Sequence, residues 1–524
     1  MAVFELVVGL LFVGAALSSL AERVNVPYPA LLALAGAALA LLPGTPTVTL
    51  DPELALTLFV APVLLDAAYD SSPRDLRRHW RPVAGLALGA VVATVVAVAL
   101  VARALEPGLP WPAAVALGAI VAPPDAAAAT AVLKRLRLPH RLLVILEGES
   151  LLNDASSLLV YRWAVASASA AAFSAWSGVP ILLGSLASVP LGLLLAWVLA
   201  RTIGRIQNVA IAVIVQFLST FAVWMLAERL HLSGIITVVV FAVSVARRAS
   251  ESTPARLRVP AYAVWEVVVF VLNVLAFILV GLQLKPILQH LTAPQLGRYL
   301  LVATGVCVAV IGVRVGWVAI WELVARLNGR RPRPAGTTAS SWDPASRAAV
   351  VVAWCGMRGI VTLAAALALP DGIHDSAVFP ERDLILFCAF AVVLVTLVVQ
   401  GLTLTPLLRR LALEDDELIE REVRLAREQT IQAGLVALSQ PDLAAHDTAF
   451  LRSKYEARLH KAQAAPPSTP ENGAPGATPH RQALDAERRT LSELRARGVI
   501  GDDAFHRIEE ELDWAELNIT APER

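Results

Sequence analysis

The chain has 524 residues, 57% hydrophobic and 17% charged, with a mean hydropathy of +0.64. A water-soluble chain averages about 45–50% apolar and about 25% charged residues, so an ordinary soluble enzyme is excluded, as is a disordered scaffold, which needs low hydrophobicity and high charge. The net charge of +1 hides a division: residues 1–410 hold 30 Lys and Arg against 21 Asp and Glu, and residues 411–524 hold 14 against 22, so a basic apolar body precedes an acidic tail.

A bilayer core takes about 20 apolar residues per helix. The apolar runs predict an all-α polytopic membrane protein with about thirteen spans, at 3–20, 29–43, 53–69, 82–104, 112–133, 142–169, 180–200, 207–228, 233–246, 260–284, 298–325, 347–369 and 383–408. Met1–Leu10 carries no Lys or Arg, so the first run lacks the basic flank of a cleaved signal peptide. Alternate loops are basic: Arg74/Arg77/Arg78/Arg81, Lys134/Arg135/Arg137/Arg141, Arg201/Arg205, Arg247/Arg248/Arg256/Arg258 and Arg326/Arg330/Arg331/Arg333/Arg347 share one side with Arg23. The other side holds Arg103, Arg229, Lys285, Arg298 and Arg382. The positive-inside rule puts the rich side in the cytoplasm, the N-terminus outside and the tail inside a plasma membrane. In the tail, 413–438 and 443–464 read as amphipathic helices, 465–479 as a Pro/Gly/Ala-rich linker, and 482–497 with 502–517 as a helical pair turned at Gly498–Gly501. The tail shows no catalytic constellation and no phosphate loop, so structural or regulatory helices are expected. Cys307, Cys355 and Cys388 lie in apolar runs without metal-ligand spacing. No basic stripe interleaved with aromatics suggests nucleic acid, and no cofactor is expected.

A charge at bilayer depth costs a few kcal/mol even on lenient scales, so each one inside a span marks a candidate functional residue. The acidic ones are Asp66, Asp125, Glu147, Glu149, Asp154 and Glu266; the basic ones are Arg162, Arg314 and Arg358. The sixth span carries Glu147-Gly-Glu-Ser-Leu-Leu-Asn-Asp154. Residues four apart share a helix face, so Ser150 and Asp154 form one stripe and Glu149 and Asn153 the next. Oxygen-only ligands suit a proton or a hard cation such as Na⁺. Structural roles stand beside these: Glu149 neutralising Arg358, Glu266 pairing with Arg314, Asn273 bonding between helices, Glu147 lining an entry funnel and Arg162 snorkelling outward. Asp154 has no basic residue near it in its own helix, which leaves the functional reading strongest there.

The fifth span contains Ala122-Pro-Pro-Asp125 and the twelfth Trp354-Cys-Gly-Met-Arg-Gly359. Two prolines remove two amide donors and clash with the preceding turn, so a helix break is expected in span 5; glycines flank Arg358 in span 12. The two spans are seven apart and run in opposite directions. Paired broken helices in inverted repeats mark the midplane site of secondary transporters, where freed carbonyls can face a cation and Asp125 can serve as ligand and countercharge.

These segments resemble the sodium/proton exchangers, the monovalent cation:proton antiporters. Gly148-Glu-Ser-Leu-Leu-Asn-Asp154 is similar to that family's signature, and Phe59-Val-Ala-Pro-Val-Leu-Leu-Asp66, Trp265-Glu266 through Asn273 and Gly281-Leu-Gln283, and Trp354 to Gly359 resemble its motifs in the third, tenth and twelfth spans, over residues 1–410. The resemblance implies a homodimer in the lipid bilayer with a mobile core, about 82–169 and 298–408, moving against a dimerisation scaffold. It implies an Asn153–Asp154 pair, Ser150 as an ion ligand, and a Glu149–Arg358 scaffold pair. Na⁺ is then the cargo at Asp125, Asp154 and Ser150, exchanged for H⁺, with Li⁺ or K⁺ as other cargoes. Where many members have Thr-Asp-Pro, this chain has Pro124-Asp-Ala126, so by resemblance only a backbone carbonyl, that of Pro124, replaces the missing hydroxyl as an ion contact. Asp66 is one methylene shorter than the Glu of many members, and a water bridge to the ion is plausible there. Asn153 leaves one fewer titratable group beside Asp154, which by resemblance favours electroneutral exchange. K⁺/H⁺ exchange, an intramembrane aspartyl protease built on Asp125 and Asp154, and a channel are the competing readings.

Overall fold

The computed structural model describes residues 2–24, 26–43, 52–125, 128–129, 133, 138–169, 178–203, 205–206, 208–252, 255–289, 291–327, 344–370, 378–413, 417–439, 445–464 and 477–520. Among them the chain is helical, with no strand. Helices α1 (Ala2–Val24), α2 (Tyr28–Leu41) and α3 (Ala61–Asp70) are followed by a short α4 (Pro73–Arg78), then α5 (Val91–Leu105) and α6 (Trp111–Val121). Next come α7 (His140–Ser169), α8 (Gly178–Ile203), α9 (Val209–Arg229), α10 (Gly234–Ser252), α11 (Ala255–Leu282) and α12 (Ala293–Leu327). The body ends with α13 (Pro344–Trp354), α14 (Ile360–Leu367), α15 (Arg382–Val395) and α16 (Gly401–Leu411).

Among the described residues, seven helical segments are long and apolar enough to cross a bilayer: Phe4–Val24, Trp80–Leu105, Gly178–Ile203, Val209–Arg229, Ala255–Gln289, Ala293–Leu327 and Arg382–Leu411. Three shorter apolar helices, Tyr28–Leu41, Leu56–Tyr69 and Trp111–Val121, accompany them. The protein is therefore a multi-pass membrane protein. Three expected spans fall outside this set because of what they carry. Helix α10, over the expected 233–246, ends in Arg247, Arg248 and Glu251. Helix α7 holds Glu147, Glu149, Asp154 and Arg162, and the 347–369 run is split between α13 and α14.

Packing is closest where side chains are smallest. A Cβ added to Gly36 in α2 would fall on the Ile278 carbonyl of α11, and one added to Gly281 on the Ala33 carbonyl. Lipid tails give helices no hydrophobic reason to associate, so such small-residue crossings let backbones gain van der Waals contact instead. One apolar cluster joins α1–α3 and α8–α11 to the inner faces of α7, α13 and α14, through residues such as Leu32, Phe59, Phe277, Leu151 and Met357. A second joins α5, α6, α12 and α15 through Val98, Leu117, Ile120, Val306 and Phe387.

The tail forms α17 (Leu418–Leu438), α18 (Ala445–Ala464), α19 (Ala477–Ala496) and α20 (Asp502–Thr520). Most of the expected 465–479 linker lies outside the described residues, and residues 477–479 begin α19. Gly498 has φ +67, and Val499 N–H donates to Leu494 O at 3.0 Å. This Schellman geometry needs a residue free to go left-handed. It turns α20 back on α19, burying Leu491, Leu494, Phe505, Ile508 and Leu512 together.

Candidate ion site

Helix α6 stops at Val121, and residues 122–125 are not helical. The adjacent prolines at 123 and 124 account for this by removing successive amide donors. Helix α13 ends at Trp354 and α14 begins at Ile360, with 355–359 outside any helix. The two interruptions touch: Asp125 N–H donates to Met357 O at 2.7 Å. Gly359 is needed for that approach, because a Cβ on it would overlap the Asp125 carboxylate.

A helix that ends inside a membrane leaves carbonyls without donors and a partial negative charge at its terminus. Two buried arginines answer it. Arg358 donates from Nε to Val121 O at 3.0 Å, from Nη2 to Ala122 O at 3.1 Å, and from Nη1 to Gly356 O. Its backbone N–H donates to Thr396 Oγ1 at 3.0 Å. Arg314 of α12 donates from Nε to Val352 O at 3.1 Å and from Nη2 to Cys355 O at 3.3 Å. Each interrupted segment thus has its terminal carbonyls covered by a guanidinium.

This arrangement corrects two sequence expectations. Glu149 pairs with Arg314, not Arg358: Nη1 and Nη2 of Arg314 reach Oε1 and Oε2 at 2.5 and 2.9 Å. The hydrogen bonds of Arg358 run instead to carbonyls of the α6 end and of its own segment. Arg314 is held by Glu149 and the Val352 and Cys355 carbonyls, while Glu266 lines a separate cavity, so these two do not pair. A third expectation also changes. Arg162 does not simply snorkel, since its Nη2 holds Glu228 of α9 at 2.7 and 2.9 Å and its Nη1 reaches Leu232 O at 3.3 Å.

Beside the capped ends lie the polar residues of α7. Asp154 is buried at 6% exposure and Asn153 at 0%, and the Asp154 carboxyl lies within electrostatic range of Asp125. Asn153 Nδ2 donates to Pro124 O at 3.0 Å, fastening α7 to the interruption after α6. Its Oδ1 is buried with no hydrogen-bond donor among the described residues. A buried acceptor left empty costs about 1–3 kcal/mol. Ser150 sits one turn before Asp154 and is half-buried, as is Asp125. Glu147 is half-buried at the next turn toward the start of α7.

Asp66, Glu266 and Asn273 come together elsewhere, around a cavity of about 440 Å³ that Arg248, Arg258, Tyr69 and Tyr262 also line; neither Asp125 nor Asp154 lines it. Asp66 Oδ1 accepts from Trp265 Nε1 at 3.0 Å. Sequence reasoning missed Thr396, which caps the Arg358 amide, and Gln400, whose fully buried amide has no partner among the described residues. The signal was available: both are polar interruptions in the apolar run 384–400.

Buried carboxylates held among capped helix ends, in a body of membrane-spanning helices, define a membrane transport protein. The chain belongs to the sodium/hydrogen exchanger family, whose transmembrane model matches residues 7–410; it is a family of antiporters, not of enzymes, so the protease reading falls. An uncharacterized Na⁺/H⁺ exchanger of Mycobacterium tuberculosis is 32% identical, over 99% of this chain and 97% of its own length. The sodium, potassium, lithium and rubidium/H⁺ antiporter of Bacillus subtilis is 30% identical, over 72% of this chain and 57% of its own. The fold is similar to that of the sodium proton antiporter MjNhaP1 from Methanocaldococcus jannaschii, with a TM-score of 0.58 at 18% identity, over 79% of this chain and 99% of that one.

Proposed function

We propose that the chain exchanges Na⁺ for H⁺ one for one, at a site formed by Asp125, Asp154 and Ser150, with the Pro124 carbonyl and Asn153 framing it. The charge count around the two aspartates carries the reading. Glu149 cancels Arg314 through a bidentate pair. Arg358 balances one aspartate, and the second leaves the cluster with one net negative charge. Carrying a bare charge past a hydrocarbon barrier costs about 2.5–3.5 kcal/mol on insertion scales and more by other measures. A proton or a monovalent cation removes that charge; an empty site keeps it. Only loaded forms cross readily, and this couples the two flows without net charge movement.

In this reading the protein has about thirteen spans with inverted repeats, and spans 5 and 12 cross as broken helices. It works as a homodimer in the plasma membrane, with residues 82–169 and 298–408 moving as a core against the remaining helices, the scaffold. The N-terminus lies outside and the tail in the cytoplasm. Contacts of the acidic tail with Arg74 and Arg258, both from the basic side, support that orientation. The likeness to the sodium, potassium, lithium and rubidium/H⁺ antiporter of Bacillus subtilis favours a site that also takes K⁺ and Li⁺.

The test is dissipation of a preset ΔpH in proteoliposomes on adding Na⁺, Li⁺ or K⁺ separately. Wild-type protein responds to Na⁺, and Asp154→Asn, folded and dimeric, does not. Near-normal Na⁺-driven proton movement in that variant would remove Asp154 from the site.

A further inference from the structure

The tail reaches two parts of the membrane body that antiport would have to move apart. On the scaffold side, Arg258 at the start of α11 is buried at 3% exposure beneath α20. Its Nε and Nη2 bond Asp513 at 2.7 and 2.6 Å, and its Nη1 lies 2.8 Å from Glu509. Nearby, the His506 ring of α20 stacks on Tyr69, with centroids 6.3 Å apart. Tyr69 and Arg258 both line the cavity that holds Asp66 and Glu266, so α20 lies against one end of that cavity.

On the core side, Asp503, in the first turn of the same helix, lies 3.4 Å from Nδ1 of His140. His140 is the first residue of α7, the helix that carries Glu149, Ser150, Asn153 and Asp154. The other ring nitrogen of His140 is 3.3 Å from Asp75 of α4. Burial opposes the Asp75 charge, but the His140 hydrogen bond and Arg74 outweigh it and hold that carboxyl down to about 2. Arg74 in turn bonds Glu422 of α17 at 3.0 Å and Gly498 O at 3.1 Å. Glu422 also accepts from Gly501 N–H at 2.5 Å, so α17 fixes the turn from which α20 departs.

We propose that the tail is a clamp: α20 ties the start of α7 to the start of α11, and ion exchange requires the α7 end of the tie to open. Resting on the moving-core reading above, the argument is mechanical. The ten residues from Asp503 to Asp513 span about 15 Å of rigid helix. One helix pinned at both ends to bodies that shift past each other cannot follow both. The weaker end yields. At α11 a buried guanidinium faces Asp513 and Glu509, and Asp513 is held again by Arg488 at 2.6 Å; stripping one partner there would leave a charge buried and unpaired. At α7 the contact of Asp503 with His140 is 3.4 Å long, and Asp503 is half exposed, the setting in which ion pairs contribute least; Arg74 and Asp75 of α4 precede the 82–169 core, so the bonds of Arg74 to Glu422 and Gly498 belong to the scaffold end. The scaffold end is therefore the permanent anchor and the α7 end the catch.

Two cysteine pairs in the full-length protein test this, since native Cys307, Cys355 and Cys388 are buried. A short, reducible bifunctional thiol reagent is applied to His140→Cys/Asp503→Cys and, separately, to Arg258→Cys/Asp513→Cys. Cross-linking the first pair abolishes Na⁺-driven proton movement in proteoliposomes, and reduction restores it. Cross-linking the second leaves the rate of that variant unchanged. Asp503→Ala exchanges faster than wild type, by up to about fivefold for the loss of one exposed pair. A second readout is the yield of the first cross-link, which falls when NaCl replaces choline chloride as the core begins to cycle. A cross-linked first pair exchanging at its reduced rate, or a yield indifferent to Na⁺, overturns the clamp and leaves antiport standing. Absence of cation-driven proton movement in every protein, reduced or not, overturns the antiport reading and the clamp with it.

Discussion

Replacing Glu149 by Gln tests the buried charge network most directly. Glu149 and Arg314 are 2% and 4% exposed at the side chain, and two parallel bonds of 2.5 and 2.9 Å join them. The substitution keeps the volume but removes the countercharge. Arg314 would keep the carbonyls of Val352 and Cys355 and at most one amide oxygen at position 149, with no anion beside it. Breaking one side of a buried pair costs about 3–5 kcal/mol, because the other charge stays buried and uncompensated. A midpoint moves about 2–4 °C per kcal/mol in a domain of 150–250 residues and less in a longer chain, so a drop on the order of 5 °C is expected. The double variant Glu149→Gln/Arg314→Met should regain much of that loss, with a coupling of about 2–4 kcal/mol by analogy with other buried pairs. Glu149→Gln/Arg358→Met should regain far less, because Arg358 bonds carbonyls and not Glu149. The assay is a melting curve of detergent-solubilised protein for all variants of both cycles. Equal coupling of Glu149 to both arginines, or simple additivity with Arg314, would refute the pairing.

Gly359→Ala is expected to abolish exchange while much of the fold survives, since the new methyl occupies the space of the Asp125 carboxylate; wild-type ΔpH dissipation would show that the crossing tolerates displacement. Glu228→Gln removes a pair whose side chains are 37% and 38% exposed, so its melting midpoint should hardly move; a loss of several degrees would make that contact structural. In the tail, burial together with Lys454 and Arg458 holds His480 down to about 4 from 6.5. Below pH 6.5 the unfolded tail takes up a proton that the folded tail refuses until about pH 4. Stability should therefore fall across that window as pH drops, by at most about 3 kcal/mol. Hydrogen exchange over α18 and α19 between pH 4.5 and 7 would show this, and His480→Leu should flatten the dependence.

The sequence alone determined the solvent and much of the site. A bilayer imposes so strict a rule on backbone and charge that runs of about 20 apolar residues, and the few charges within them, are legible without coordinates. Pro123 and Pro124 marked the end of α6 because proline removes the donor wherever it stands. The carboxylates of α7 declared themselves by their expense, and the turn at Gly498 by its residue type. Partnership was not legible. Arg314 and Arg358 are both cations in apolar runs, and nothing in one dimension says which meets Glu149. That choice is made by where the carbonyls of two interrupted helices point: Arg358 is drawn to the end of α6, and Arg314, left beside α7, takes the carboxylate. The same holds for Asp66, whose one short arm reaches Trp265 and not the aspartates, and for Arg258, which reads as one more loop charge until α20 covers it. Helix existence follows from local chemistry, whereas the pairing of long, flexible, charged side chains follows from distances that only the assembled helices set.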